Sequence, residues 1–393
     1  MADFDLTDLS LLSWSLVDLP ELGRCRELQD AAVYSMAVRP KDWLGFANAV
    51  LGVVWAWHFA GLLSQCLWRR ASHVLRETAR DVDRERGSDR STSYKSRSVE
   101  PGSYREPWVL SDMCHVLVIA KPAGWEVYDG NAEKQLKHFL QNLEYGQPIL
   151  SDQVHGCGFL HRLDVPSSGL VLAATTYEAW YDLQLQLVSG KMQREYQVLA
   201  HGFARRKQID AHLRWHEDAV SAGAVGKPSK TLLEVLGFLL RPSTLRSFSM
   251  LHIRIVTGRK HQIRSHLAWT GHPSVTDGKY ASKASLVEDL GFCPRNFLHR
   301  CRLRWRQGDA HQDLAPDLAA VLARLKPKDW RGQQAQQAWN SGAKGQGQER
   351  ALTSKGVPFQ TCHAKARGVY ASWLGPQSWP GAVASSWSEV RIG

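Results

Sequence analysis

From Trp108 to Leu325, short apolar runs of strand length alternate with stretches of helical spacing, and this alternation limits the fold more than any other feature of the sequence. Val116 to Ile119 is one such run; it stops at Lys121-Pro122-Ala123-Gly124, which reads as a strand and its turn. Gly169 to Ala174, Arg194 to Ala200, Leu232 to Leu239, Ser249 to Val256 and Leu298 to Trp305 read as further strands. In the Arg194 run, Tyr196, Val198 and Ala200 share a side. Ala132 to Leu143 places Leu136, Phe139, Leu140 and Leu143 on one helical face. Tyr177 to Leu187, Gln262 to Trp269 and Leu314 to Leu325 also read as helices, the second ended by Gly271 and Pro273. The order has no regular repeat, so the spacing predicts an α+β domain with helices against a sheet.

The flanks differ from this region. Residues 1–70 form an extension that opens with acidic and apolar residues from Ala2 to Leu22, without the early positive charge of a secretory signal or the acid-poor composition of a transit peptide. Inside it, Trp43 to Trp68 carries no Asp, Glu, Lys or Arg. As one helix it would measure roughly 39 Å, enough to cross a bilayer. Asn48, His58, Ser64 and Gln65 argue the other way. A membrane span or contact through 43–68, a targeting segment and a helix packed on the protein all stay open. Basic residues on both sides leave the orientation unread. Residues 71–106 read as a basic polar linker with a helical start, and 327–393 as a disordered Gln-, Gly- and Ser-rich tail. Compartment is open between an organelle (mitochondrion or plastid) and the cytoplasm.

A net charge of +11 favours a polyanionic partner, although the basic linker supplies part of it. The 7 cysteines are scattered without a Cys-x-x-Cys pair, which argues against a zinc knuckle or a disulfide framework and fits a reducing compartment.

Two segments carry chemistry. In Phe159 to Ala174, Asp164 follows Arg162 by two positions, and Pro166, Ser167, Ser168 and Gly169 turn the chain into an apolar strand. From residue types alone this is a surface loop with a local ion pair as readily as a site. In Leu251 to Tyr280, Thr257-Gly258-Arg259 turns a strand into a helix that carries His261, Gln262, Arg264 and His266. Cations at a helix start suit an anion, either a nucleic-acid phosphate or a buried carboxylate. His261 and His266 are not at the i, i+4 spacing of a zinc helix, so no metal is expected.

In combination these segments resemble the RluA-type RNA pseudouridine synthases. Phe159 to Leu172 resembles the family's His-Arg-Leu-Asp motif. Lys121 to Gly124, Arg194 to Leu199, Thr257 to Leu267 with Gly271-His272-Pro273 and Asp277 to Tyr280, and Phe297-Leu298-His299 resemble four more, in the family's order. The resemblance covers about Trp108 to Leu325. It implies a pseudouridine-synthase catalytic domain over 107–326, α+β with a mixed, mostly antiparallel sheet flanked by helices. It also implies isomerisation of uridine in rRNA or tRNA, without cofactor or metal, by a monomer.

The resemblance further implies roles. Asp164 is the essential aspartate, Arg264 its pairing arginine, and Tyr196 the tyrosine that stacks on the base. Arg162 fills the space that the flipped uridine leaves. Thr257, Gly258, Arg259 and His261 shape the RNA-binding pocket, and Lys121 lies near it toward RNA phosphate. Two departures bear on target choice: Val165-Pro166-Ser167 replaces a charged stretch after the aspartate, and Arg300 follows His299 where a small residue is usual. Three alternatives remain: a non-catalytic RNA-binding protein that retains the fold, a membrane-tethered interaction protein, and a hydrolase built on Asp164 and a histidine. The last would set a histidine against Asp164 in place of Arg264.

Overall fold

The computed structural model describes residues 5–17, 26–37, 42–86, 103–113, 115–130, 132–143, 146–216 and 219–327. The expected tail from 328 onward and linker residues 87–102 lie outside the described residues.

Four helices come first: α1 (Leu6–Ser15), α2 (Arg26–Ser35), α3 (Trp43–Phe59) and α4 (Gln65–Glu85). The charge-free run is therefore not one helix. It breaks after Phe59 at Gly61, whose φ of 75° is left-handed, and Ser64 caps a new helix by accepting from Leu67 N at 3.2 Å. No helix among the described residues is long and apolar enough to cross a membrane. Instead α3 is a core element: Ala47, Val50, Val53 and Val54 are fully buried in the main hydrophobic cluster. The expected linker is corrected too. Its first part lies in α4, which buries Ala71, Val74, Leu75, Ala79 and Val82 along one stripe. Leu and Val at helical spacing carried that signal, but the surrounding Arg and Glu obscured it.

The catalytic-like region follows as β1 (Trp108–Met113), β2 (Val116–Lys121), α5 (Leu136–Asn142), β3 (Ser168–Ala174), α6 (Tyr177–Val188), β4 (Gln193–His201), β5 (Lys207–Asp210), β6 (His212–His216), β7 (Ala219–Gly223), β8 (Lys230–Leu240), β9 (Ser247–Ile255), α7 (Gln262–Trp269), α8 (Lys283–Leu290), β10 (Leu298–Trp305), β11 (Gly308–His311), α9 (Pro316–Ala323) and β12 (Lys326–Pro327). The main sheet runs β1-β2-β3-β10-β4-β9-β8-β12, with β11 on β10 and β5 on β8; β6 and β7 form a separate hairpin. Among the strands of the described residues, only β3 and β10 pair in parallel. The domain is thus α+β, as the spacing predicts, with the mostly antiparallel sheet that the resemblance implies. Strand β4 is buried on both faces between β10 and β9, so its alternation does not mark a solvent side.

The parallel pair sets the site. Gly169, at φ 122°, sits against the backbone of Arg300, where any Cβ would collide. The loop that ends at Ser168 is thereby fixed beside β10, while Tyr196 of β4 faces Arg300 in register across the next pairing. The four N-terminal helices are not an independent unit. Trp43 stacks on His155 (ring centroids 5.7 Å apart), Arg76 lies 3.7 Å from Glu178 and Arg86 3.5 Å from Asp152.

Candidate active site

The loop before β3, strands β4 and β10 and the turn from β9 into α7 line a cavity of about 340 Å³, a size suited to a small ligand such as a nucleoside. Asp164, Tyr196, Arg162, Thr257, Gly258, Arg259, His261 and Arg264 all line it. Of the expected site residues only Lys121 is absent from the wall.

Asp164 lies on the loop before β3, partly exposed, and accepts from Arg264 Nη1 at 2.9 Å. Arg264 projects from α7, and its other edge grips buried Asp277 in a fork: Nε at 2.8 Å and Nη2 at 2.7 Å. Such bidentate pairing fixes the guanidinium plane, and with it the direction of Nη1. Burial works against the Arg264 charge, but hydrogen bonds and attraction to Asp277 and Asp164 hold its proton more tightly than usual. Asp277 also accepts from Ser274 Oγ at 3.1 Å and Lys279 N at 3.0 Å. Burial would raise its pKa, yet the bonds from Arg264 and these donors hold it below the usual carboxylate value. Of the two anions considered for the cations at this helix start, Arg264 therefore meets carboxylates.

Tyr196 is buried, and its hydroxyl accepts from Arg300 Nε at 2.9 Å. Arg300 also donates through Nη1 to His161 Nδ1 at 2.7 Å and Leu170 O at 3.1 Å, and through Nη2 to Arg162 O at 3.3 Å. An arginine has only donors, so His161 Nδ1 is an acceptor and that ring is neutral. Burial first, then the positive charge of Arg300 and Arg194, pushes His161 well below its ordinary pKa. Arg300 thus ties the tyrosine strand to both sides of the Asp164 loop.

The Thr257 turn is held from below. Gln262 Oε1 accepts from Thr257 Oγ1 at 2.7 Å and Arg259 N at 3.1 Å, while its amide donates to Lys230 O and Thr231 Oγ1, each at 2.9 Å. Gly258 packs so closely on Arg194 that a Cβ would strike its guanidinium. His261 adopts φ 54° and bonds Tyr280 Oη through Nδ1 at 2.9 Å, with Nε2 4.0 Å from Asp164. Burial pushes His261 down to about 4, against the pull of Asp164. Arg162 is exposed and pairs with Asp129.

Lys121 requires a correction. It is buried at the end of β2, and its ammonium donates to the carbonyls of Ser167 at 2.7 Å, Pro122 at 2.9 Å and Val165 at 3.4 Å. Burial pushes it down to about 7, with Asp164 pulling it up and Arg295 and Arg300 adding to the fall. It holds the Asp164 loop from inside and has no free donor face for RNA phosphate.

Sequence reasoning missed three partners. Asp277 was visible as a carboxylate inside a motif, but nothing local ties it to Arg264. Arg300 stood out as a departure from the family pattern without indicating a direction. Trp55 of α3 also lines the cavity, and no local signal joins it to Asp164. Among the described residues no group of three or more His, Cys, Asp or Glu side chains is arranged to hold a metal ion.

A family model described as RNA pseudouridylate synthase matches residues 115–269. The chain is similar to the Ribosomal large subunit pseudouridine synthase D of Nitrosomonas europaea, 32% identical over 56% of this chain and 65% of that protein. The namesake protein of Pasteurella multocida is 31% identical over 54% of this chain and 68% of its own length. The chain thus spans about two thirds of the length of these curated relatives, slightly less for the first. A solved structure titled Human RNA Pseudouridylate Synthase Domain Containing 1 is 23% identical, covering 61% of this chain and 96% of that one, with a TM-score of 0.47. The chain belongs to the RluA-type family of RNA pseudouridine synthases.

Proposed function

We propose that this chain isomerises uridine to pseudouridine in RNA, and that its substrate is ribosomal RNA of the large subunit, the class in the relatives' names. One observation carries the reading: Asp164 rests 2.9 Å from Arg264 on the wall of a cavity that also holds Tyr196. In the reaction the bond from N1 to ribose C1′ breaks, the base turns, and C5 bonds to C1′. The C5 proton leaves and N1 gains one, so substrate and product have the same atoms and no cofactor enters. An ionised Asp164 either attacks C1′ or removes the C2′ proton in an elimination; both routes need a carboxylate held in one direction. Arg264, fixed by Asp277, supplies that hold. Tyr196 stacks on the uracil ring, and its hydroxyl oxygen takes the C5 proton as its own proton passes to solvent. A base inside a stem must first leave the stack, at a cost of a few kcal/mol; Arg162, exposed at the rim, fills the gap on exchanging Asp129 for RNA.

Two alternatives fit less well. A protein that only binds RNA has no use for a carboxylate paired inside the cavity. A hydrolase would set a histidine against Asp164, whereas His261 stays at 4.0 Å and Arg264 takes the short contact. The test is pseudouridine mapping of cellular RNA with the wild-type chain and with Asp164→Ala. At least one uridine, expected in large-subunit rRNA, should lose its modification; no Asp164-dependent site in any RNA would end this reading.

A further inference from the structure

The N-terminal helices reach the cavity at one point. Trp55 of α3 lies on its wall, stacked on Trp14 of α1 with centroids 3.9 Å apart and planes 16° from parallel. The Arg259 guanidinium lies 4.7 Å from the Trp55 ring and 5.2 Å from the Trp14 ring. Among the described residues its Nε and Nη2 are buried and meet no acceptor. Burial pushes Arg259 down to about 10, and no carboxylate of the described residues offsets it. Buried charges are ordinarily paired. Indole faces attract a guanidinium but accept none of its hydrogen bonds.

The two tryptophans are not needed merely to fasten the helices. Trp43 on His155, Lys230 over Phe59 at 4.6 Å, Lys191 over Trp68 at 3.3 Å and Arg86 near Asp152 already do so. What distinguishes the Trp14–Trp55–Arg259 stack is that it opens on the catalytic cavity. An RNA strand whose uridine enters that cavity brings a phosphodiester on either side of the nucleotide.

We propose that Arg259, backed by Trp14 and Trp55, is a phosphate subsite for the RNA backbone beside the target uridine. The N-terminal helices are then part of the substrate site: Trp55 is a positioning residue that holds the guanidinium toward the cavity, and Arg259 is the group that meets the phosphodiester. The inference rests on the proposed uridine chemistry of that cavity and adds to it how the backbone is held.

The test uses the full chain carrying Asp164→Asn, to prevent turnover, and a single-stranded oligouridylate of about twelve nucleotides as probe. Arg259→Met should weaken binding about tenfold and lower the slope of log affinity against log salt by about one. Trp55→Leu should weaken binding several-fold with the slope unchanged, and Trp55→Phe should keep most of the affinity. Lys191→Met, which removes a cation–ring contact of the same helices away from the cavity, should bind as the parent does. Parental affinity and slope in Arg259→Met, with only a lower melting temperature, would reduce the stack to packing and overturn the proposal, as would absence of probe binding by the parent. Pseudouridine mapping with the unsubstituted chain separates the two levels. If it modifies RNA while Arg259→Met binds normally, the subsite alone falls; if it modifies none, the underlying function falls.

Discussion

Arg300 Nε donates to the Tyr196 hydroxyl at 2.9 Å, and the same guanidinium reaches Leu170 O and Arg162 O on either side of the Asp164 loop. One buried side chain therefore fixes the distance between the proposed carboxylate and the proposed tyrosine. Arg300→Met should lower single-turnover kcat by roughly 100-fold, the scale of a 1 Å misplacement, while RNA affinity changes little. Arg300→Lys should rescue poorly, since an ammonium cannot span the same acceptors. An undiminished kcat in Arg300→Met would remove Arg300 from this role.

Arg264 joins two carboxylates of different exposure, and the consequences of losing it differ at each. At Asp164 the loss is chemical: Arg264→Met should abolish turnover while leaving much of the RNA affinity. At Asp277 it is structural, because a fully buried carboxylate is left uncompensated at about 3–5 kcal/mol. A double substitution, Arg264→Met with Asp277→Asn, should recover much of the melting temperature and none of the activity. Normal turnover in either variant, with weakened RNA binding instead, would mean that Arg264 serves RNA and not Asp164.

Lys121 acts on the same loop from within the sheet. Three carbonyl acceptors, from Pro122, Val165 and Ser167, converge on its ammonium. Lys121→Met should leave these oxygens without donors, cost about 1–3 kcal/mol of stability for the buried groups, and reduce kcat by loosening Asp164. The salt dependence of RNA binding should not change, since Lys121 faces no phosphate. A salt slope lowered by about one would instead return Lys121 to the RNA surface.

What could be read from the sequence follows from how locally each feature is encoded. Gln262 to Trp269 is a helix with the predicted ends, and the strands at Val116, Gly169, Arg194, Leu232, Ser249 and Leu298 all occur. Each rests on apolar spacing within a few residues. The helix expected over Ala132 to Leu143 begins only at Leu136, because Gln135 forms a bridge with Glu126 and Ala132 N donates to the Glu126 carboxylate. Asp164, Tyr196 and Arg264 were identifiable through motif order, but Asp277, Arg300 and Trp55 act through contacts between distant segments that no local pattern records. The charge-free run left three readings open for a related reason: local hydropathy cannot tell a core helix from a membrane helix, and the break at Gly61 and Ser64 lies in the backbone.

Buried neutral histidines give the fold a distinct acid response. Burial, then the positive charge of Arg295, pushes His299 down to about 3; burial likewise pushes His266 and His58 down to about 4. In the unfolded chain these rings take up a proton near pH 6.5. Their folded values lie below that, so the stability they contribute is fully present above about 6.5. It is lost progressively as pH falls toward the folded values. In that window each ring contributes a slope of up to about 1.4 kcal/mol per pH unit. Denaturant unfolding between pH 7 and pH 4.5 should show stability falling with acid. His299→Asn, which keeps a polar group beside Ser168 Oγ, now 2.9 Å from His299 Nδ1, should be less stable at pH 7 but lose stability with acid about one proton less steeply. A wild-type slope in that variant would show that His299 does not stay neutral in the folded chain.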